Sequence, residues 1–435
     1  MNKMPFAENF SDKERKKFRM FATCSALTGC ISEWVLDSNT IIILYLVMLG
    51  GSESFSMFSS AITGLVSLML AIPFAGITNK IGMRPAYKTA VYVAIFAYMM
   101  MALAPVAGAF AKYMVIAGVF LYSFTRPLYG ATWYPICDAF LLKKERGSFF
   151  GTMRFTYMSL NALLLFGAGC LMGANPPLWT MQLIIGFAGI MMFGRKICMD
   201  RLPVNPASEK TAYDMKKAIA ISIRNAPLMG FGFYVCMVNM SIAAAIPLAV
   251  LYMKMVLNFT AFQIMTTTSI GLGGYIAGNA IVGFLMRRFG TRKFQLLMHG
   301  ICIVLLFSLT LIFPDGKLLL PRMMFLFFLN GIGASFLLCL TSTEMLALAK
   351  PTNKLMATSF ISTFQNLGVC IGRLGMTVIL GLGVIMEQFS FCGKVLSKFN
   401  FLFAINSFLI IFSLLFLLLS PSIVPKHKDY YEPSN

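Results

Sequence analysis

Long apolar runs, each close to the length needed to cross a bilayer, constrain this 435-residue chain more than any other feature. About 20 consecutive apolar residues form a helix long enough to span the hydrocarbon core. Twelve runs of that size or longer remain when the sequence is divided at its Lys/Arg, Gly/Pro and Asn clusters. We therefore predict spanning helices near residues 20–49, 54–78, 86–108, 112–141, 148–173, 178–199, 227–252, 261–286, 294–313, 321–349, 356–385 and 399–419.

The composition excludes an ordinary soluble domain, because 58% of the residues are hydrophobic and only 12% are charged. The net charge of +20 could suggest a nucleic-acid partner. The basic residues, however, lie in short clusters between apolar runs, a pattern typical of membrane topology, so we expect no nucleic-acid partner. The ten cysteines lie almost wholly within apolar runs and lack metal-ligand spacing. We expect neither a metal nor another cofactor.

The distribution of Lys and Arg predicts that both termini are cytoplasmic. With the N-terminus inside, 28 of these residues fall in cytoplasmic segments and six in outer loops. Cytoplasmic loops of membrane proteins concentrate positive charge. The inside group includes seven cations between Arg195 and Arg224, whereas Arg126 and Arg373 lie within predicted helices.

One long polar interruption, Asp200 to Asn225, divides the chain. Its amphipathic stretch DMKKAIAISIRN could form a helix at the membrane interface. The predicted organisation is a cytoplasmic tail, a six-helix bundle, a cytoplasmic linker, a second six-helix bundle and a cytoplasmic tail, at residues 1–19, 20–199, 200–226, 227–419 and 420–435.

Two short stretches in the two halves repeat at a fixed offset of 208 residues: AGITNKIGMRP from Ala75 and GFLMRRFGTRK from Gly283. A repeat at about half the chain length indicates internal duplication. Glycine permits a tight turn between helices, and basic side chains can bond the carbonyl end of the preceding helix. The fold class we predict is therefore an all-α integral membrane protein of twelve transmembrane helices in two pseudo-symmetric halves.

These stretches resemble the signature G-x-x-x-D-R-x-G-R-K of the major facilitator superfamily. The chain departs from it at Ala75 and at Asn79, where the family usually has Gly and Asp, and Arg287 occupies the acidic position of the second copy. Arg126 in FTRPLYG and Asp138 before KKERG are similar to further family patterns. The resemblance implies transport by alternating access and a cytoplasmic gating network of Asn79, Lys80, Gly82, Arg84, Asp138, Arg146, Arg287, Arg288, Gly290, Arg292 and Glu344.

Ionisable side chains within predicted helices are candidates for function, since burying them in a bilayer is costly. Glu33 and Asp37 are four residues apart, so both carboxylates lie on one face of the first helix. In the family's arrangement Arg126 of the fourth helix could reach this pair. Our hypothesis is that Glu33, Asp37 and Arg126 bind and release the coupling ion. The alternative is a buried ion pair that only fixes helix packing.

Substrate contacts are predicted around Arg126. Tyr129 and Trp133 follow it on the same helix face, and an arginine beside aromatic rings suits a sugar or an organic anion. The rings could equally serve helix packing. Polar groups in other helices are further candidates for ligand contact or for interhelical hydrogen bonds: Tyr157, Asn161, Asn239, Asn330 and Arg373.

The chain lacks the residues of an enzyme or a nucleotide-driven pump. It contains only two histidines and no Walker-type loop. We predict a monomeric, cation-coupled importer of a small polar solute, driven by protons or sodium ions and embedded in the lipid bilayer of a bacterial inner membrane. The alternatives are an efflux exporter or drug antiporter, and a receptor or scaffold that does not transport.

Overall fold

The structure is a computed structural model, and almost all the residues that it describes are helical. For some of them, including Asp37, Asn79 and Arg146, only the backbone is described. The described residues are 6–37, 40–142, 145–204, 215–314, 316–348, 354–383, 385, 388–391 and 394–419.

The chain divides into two compact units. The first contains Met1–Gly51 and Val66–Tyr213, and the second contains Ser52–Leu65 and Asp214–Asn435. The division after Tyr213 falls in the polar interruption that the sequence predicts to be a linker. The predicted limits of the two bundles themselves stay predictions.

Helices of the first unit follow one another with short connections. They are the 3₁₀-helix Phe6–Asn9, α1 (Asp12–Asp37), α2 (Thr40–Met48), the later part of α3 (Glu53–Ile81), α4 (Met83–Ala102), the 3₁₀-helix Ala104–Phe110, α5 (Ala111–Asp138), α6 (Arg146–Met172) and α7 (Leu178–Asp200). Buried side chains of α1, α4, α5, α6 and α7 form a common core, with Tyr87, Phe140, Phe149 and Met199 among them.

The second unit contains the first part of α3 and the remaining elements. These are α8 (Met215–Ile223), α9 (Ala226–Ile242), α10 (Ala245–Met255), α11 (Ala261–Thr310), α12 (Leu319–Leu348), α13 (Lys354–Leu382), the antiparallel strands β1 (Gln388–Phe391) and β2 (Lys394–Ser397), and α14 (Lys398–Leu419). Its core joins α9, α11, α12, α13 and α14 through buried residues that include Phe231, Phe294, Phe336 and Ile410.

Every predicted apolar segment coincides with a helix or with a pair of consecutive helices, and the long α11 covers two segments. Among the described residues, nine helices are long and apolar enough to cross a membrane, or ten if α1 and α2 together form one bent span. The total of twelve spans and the cytoplasmic position of both termini stay predictions.

The two glycines at equivalent places in the repeat have nearly the same backbone conformation. Gly82 has φ 91° and ψ 158°, and it separates α3 from α4. Gly290 has φ 71° and ψ 162°, and it interrupts α11 at the corresponding place. Side chains with a Cβ atom rarely adopt this region, so glycine is required at both turns. The repeat found in the sequence therefore corresponds to a repeated turn in the structure.

Capping boxes fix the starts of two helices. Before α1, Ser11 donates its backbone N–H to Glu14 Oε2 at 2.9 Å, and Glu14 returns its N–H to Ser11 Oγ at 3.3 Å. The carboxylate of Glu14 accepts hydrogen bonds from the backbone N–H and from the hydroxyl of Ser11, and these bonds lower the pKa of Glu14. Thr260 and Gln263 form the same reciprocal pair at the start of α11. Each box satisfies N–H groups that have no partner within the helix.

We expect Gly82→Ala and Gly290→Ala to lower the midpoint of thermal unfolding, because forcing a Cβ into this backbone region costs about 1–3 kcal/mol. Thermal unfolding of the purified variants in detergent measures the change. Gly151→Ala is the matched control, since a Cβ there would meet nothing within 4 Å and the residue lies in regular helix. Unchanged midpoints for both turn variants would contradict the conformational requirement.

Candidate functional site

An ion pair between a buried arginine and a partly exposed glutamate joins α1 to α7 in the first unit. Arg195 donates from Nη1 to Glu33 Oε1 at 2.6 Å, and Arg195 is only 4% exposed. From the sequence, Arg195 was predicted to be one of seven cations in a cytoplasmic segment. The structure corrects this, because Arg195 lies inside α7, five residues before the helix ends. Its place within predicted segment 178–199 was the signal that could have identified it as a buried charge.

The surroundings of Arg195 are built to hold a guanidinium group. The group lies over the ring of Tyr129, with 4.1 Å from Cζ to the ring centroid, and Nε is 3.5 Å from the backbone oxygen of Ser25. Gly29 provides the space, since a Cβ there would lie 1.7 Å from Nε of Arg195. Cation–π contact and a carbonyl oxygen partly replace the hydration that the arginine loses on burial.

A small cavity of about 10 Å³ adjoins the ion pair. Arg126 from α5 lines it together with Glu33 and Arg195, so the structure places Glu33 and Arg126 around one cavity, while their role in coupling stays a prediction. The described ion pair of Glu33, however, is with Arg195 rather than with Arg126. The other lining residues are Ala90, Val91, Ala94, Tyr122, Thr125, Tyr129 and Met192.

The two predicted aromatic residues of α5 stack on each other. The rings of Tyr129 and Trp133 have centroids 5.9 Å apart and an interplanar angle of 25°. Tyr129 lines the cavity, whereas Trp133 packs against the core of the first unit. Tyr129 therefore combines two roles, as a cavity wall and as the platform under Arg195. The side chain of Asp37, the third member of the predicted coupling group, lies outside the described residues.

The predicted substrate residues of the second unit have local contacts. Asn239 donates from Nδ2 to the carbonyl oxygen of Val235 in its own helix, at 2.8 Å. Asn330 is half-buried on α12. The hydrogen bond of Asn239 stays within its own helix, as expected of a residue that serves helix structure.

Arg373, also predicted to contact substrate, bonds to backbone oxygens. It donates from Nε to Ala243 at 3.0 Å and from Nη1 to Ser60 at 2.6 Å. Ala243 lies at the break between α9 and α10, where a carbonyl loses its helical partner. The arginine thus stabilises an interrupted helix of the second unit.

The residues of the predicted gating network differ in exposure. Those that the structure describes as exposed are Lys80, Arg84, Asp138, Arg287, Arg288 and Arg292. Gly82 and Gly290 form the two turns described above. Glu344 is fully buried and lies near the phenol of Tyr234. The side chains of Asn79 and Arg146 lie outside the described residues.

We expect Gly29→Ala to displace the Arg195 guanidinium and break its ion pair with Glu33. Removing one partner of a buried pair costs about 3–5 kcal/mol, so the thermal midpoint should fall markedly. The decisive control is the same change in an Arg195→Gln background, where no guanidinium remains to be displaced. Equal destabilisation by Gly29→Ala in both backgrounds would refute the fit between Gly29 and Arg195.

Comparison with known proteins shows the fold of the chain and a family match in its C-terminal part. The family model described as Major Facilitator Superfamily matches residues 228–431. No curated protein matches the chain. The fold is similar to that of a mutant of the nucleoside transporter NupG, with a TM-score of 0.72, 11% identity, and coverage of 92% of this chain and 99% of that one.

Two further structures share the fold. A bacterial homologue of the iron transporter ferroportin, in an inward-facing state, has a TM-score of 0.71 and 11% identity over 93% of this chain and 98% of its own. The xylose transporter XylE from E. coli, in an inward open conformation, has a TM-score of 0.65 and 13% identity over 93% and 96%. Such identities show a shared fold and nothing about the substrate. The family match in the C-terminal part of the chain and the fold match along nearly its whole length show that this multi-pass membrane protein has the fold of solved membrane transporters and, over residues 228–431, is similar to the Major Facilitator Superfamily.

Proposed function

We propose that the chain is a proton-coupled importer of a small, polar, negatively charged solute, with Glu33 as the coupling group. The observation that carries this proposal is the ion pair between Glu33 and the buried Arg195, beside a cavity that Arg126 also lines. In a water-poor site, the carboxylate of a solute can replace the carboxylate of Glu33 as the counter-ion of the arginine.

Coupling follows from the charge on Glu33. While Glu33 is ionised, it neutralises Arg195 and competes with an anionic solute for the guanidinium. When Glu33 takes up a proton, Arg195 loses its counter-charge, and the anion of the solute can replace it. Deprotonation on the other side of the membrane restores the ion pair and releases the solute. One proton therefore moves with each solute molecule.

The size of the cavity supports a limited role in recognition. Small-molecule sites commonly enclose about 300–1,000 Å³. At about 10 Å³ this cavity has room for about one water-sized group, such as one oxygen of a carboxylate, rather than for a whole sugar ring. Tyr129 and Trp133 supply aromatic surface nearby. We therefore favour a sugar acid or another small carboxylate. Solved structures with this fold include a nucleoside transporter and a xylose transporter. Nucleosides and xylose, like a sugar acid, are small polar molecules with a sugar ring.

The membrane arrangement is part of the proposal. We propose twelve spans in two six-helix halves, with both termini in the cytoplasm of a bacterial cell and the protein acting as a monomer. The excess of Lys and Arg in the predicted cytoplasmic segments supports this orientation. The exposed cations Lys80, Arg84, Arg288 and Arg292, near the two glycine turns, would then face the cytoplasm, where the predicted gating network acts.

We expect Glu33→Gln to abolish accumulation of solute against its gradient while counterflow exchange continues. Glutamine keeps the size of the side chain but cannot exchange a proton at neutral pH. Uptake into proteoliposomes under an imposed pH gradient, and under a sodium gradient for comparison, measures both activities. Glu14→Gln, which alters an exposed glutamate of the first helix, should retain accumulation. Concentrative uptake by Glu33→Gln would place coupling elsewhere, and dependence on sodium alone would exclude the proton.

We expect the purified protein to be stabilised against heat by sugar acids and small carboxylates more than by the matching neutral sugars. Arg126→Met should weaken the binding of such an anion about 10- to 100-fold, because a charge-assisted hydrogen bond contributes about 1.5–3 kcal/mol. Thermal-shift titrations of the wild type and the variant measure this difference. A preference for neutral or cationic solutes would reject the anionic substrate and favour efflux of another compound class.

A further inference from the structure

A second cavity of the first unit lies apart from the charged one and opens at an apolar surface of the unit. It has a volume of about 220 Å³ and lies between α1, α2, α6 and α7. Buried Val35 and Ile41 form its floor, and strongly exposed Leu163 and Leu183 form its rim. We call it the lateral cleft. The other lining residues are Ile31, Trp34, Asn161, Leu164, Gly167, Ala168, Leu171, Ile184 and Phe187.

The lateral cleft has apolar walls but contains one polar, buried side chain, that of Asn161. Asn161 lies near the middle of the apolar span Phe149–Met172 and is only 4% exposed. Its Oδ1 atom is buried and has no hydrogen-bond partner among the described residues. A buried amide without a partner costs about 1–3 kcal/mol. We therefore expect a bound polar group to satisfy Oδ1 of Asn161 at least part of the time.

We infer that the lateral cleft binds a membrane-dissolved, mostly apolar molecule that carries a single hydroxyl group, with the hydroxyl bonded to the carboxamide of Asn161. The lining is otherwise aliphatic and aromatic, which suits a hydrocarbon body. A hydroxyl can both donate to Oδ1 and accept from the amide nitrogen, so it satisfies either orientation of the side chain. This site is independent of the proposed transport of an anion.

The geometry favours this occupant over the chain of a bilayer lipid. From Asn161 to Leu171 the cleft runs ten residues along α6, which corresponds to about 15 Å of helix. The polar end of the cleft is therefore near the middle of the span, at the depth where lipids have only methylene and methyl groups. A phospholipid whose headgroup stays at the interface would leave Asn161 unsatisfied.

Trp34 makes the occupancy measurable, because it lines the cleft and the chain contains only two other tryptophans. In a Trp133→Phe, Trp179→Phe background, the protein in nanodiscs is titrated with a long-chain alcohol brominated on its chain, whose bromine quenches indole fluorescence on contact. The bromoalkane of equal length without the hydroxyl is the paired probe. We expect half-quenching by the alcohol at a membrane concentration about fivefold lower, the ratio that one hydrogen bond provides.

Two variants of α6 locate the binding. Gly167→Leu should abolish quenching by both probes, because a Cβ at Gly167 meets nothing within 4 Å and the larger side chain fills the cleft. Gly151→Leu, at a site on the same helix that is equally open but outside the cleft, should leave quenching unchanged. Asn161→Leu should remove the preference for the alcohol while retaining quenching by the alkane.

Three results would overturn the inference. Equal quenching by the alcohol and the alkane in the wild-type cleft would show that Asn161 recognises no hydroxyl. Quenching that persists in Gly167→Leu would place the probes outside the cleft. Quenching by phospholipids with brominated chains that excess alcohol does not relieve would assign the cleft to lipid. The glycine variants keep the experiment decisive if Asn161→Leu does not fold.

Discussion

The energetic cost of placing a charge inside a membrane protein is the constraint on which the first unit depends. Arg195 is fixed in α7 within an apolar helix, and its charge is retained at any physiological pH. The structure compensates with the carboxylate of Glu33, the ring of Tyr129 and the backbone oxygen of Ser25. Because each compensating group must approach the guanidinium closely, α1 has a glycine, Gly29, opposite it. The close approach of α1 to α7 at this level thus depends on the Arg195 side chain and the groups that surround it.

The general plan of the fold could be predicted from the sequence, because it depends on local properties of the chain. Each predicted apolar run coincides with a helix or with a pair of consecutive helices, and the 208-residue repeat predicted two equivalent turns. Gly82 and Gly290 have nearly the same φ and ψ values. This observation supports the internal repeat and does not depend on hydropathy. Bends such as the break between α9 and α10 were not predicted, since the apolar pattern continues through them.

The site could be predicted only in part, because its contacts join residues that are distant in the chain. Of the residues predicted from the sequence, Glu33, Arg126 and Tyr129 line one cavity, whereas the side chain of Asp37 lies outside the described residues. The described partner of Glu33 is 162 residues away, in a helix that no pattern in the sequence places beside α1. Arg373 shows the same limit. Its charge is evident in the sequence, but its hydrogen bonds to the backbone oxygens of Ser60 and Ala243 depend on the packing of three helices.

The polar cavity and the lateral cleft share α1 and α7 but use different stripes of each helix. On α1, Ser25, Gly29 and Glu33 recur every four residues and face Arg195, whereas Trp34 and Val35 line the cleft. Residues four apart lie on one side of a helix, and a shift of one position turns the side chain by about 100°. A rotation of α1 would therefore alter both sites together. The hydroxyl of Ser32, which donates to the backbone oxygen of Ala188 in α7, restrains that rotation. The ion pair on one side of α1 and the apolar packing around the lateral cleft on the other therefore both require the same alignment of α1 and α7.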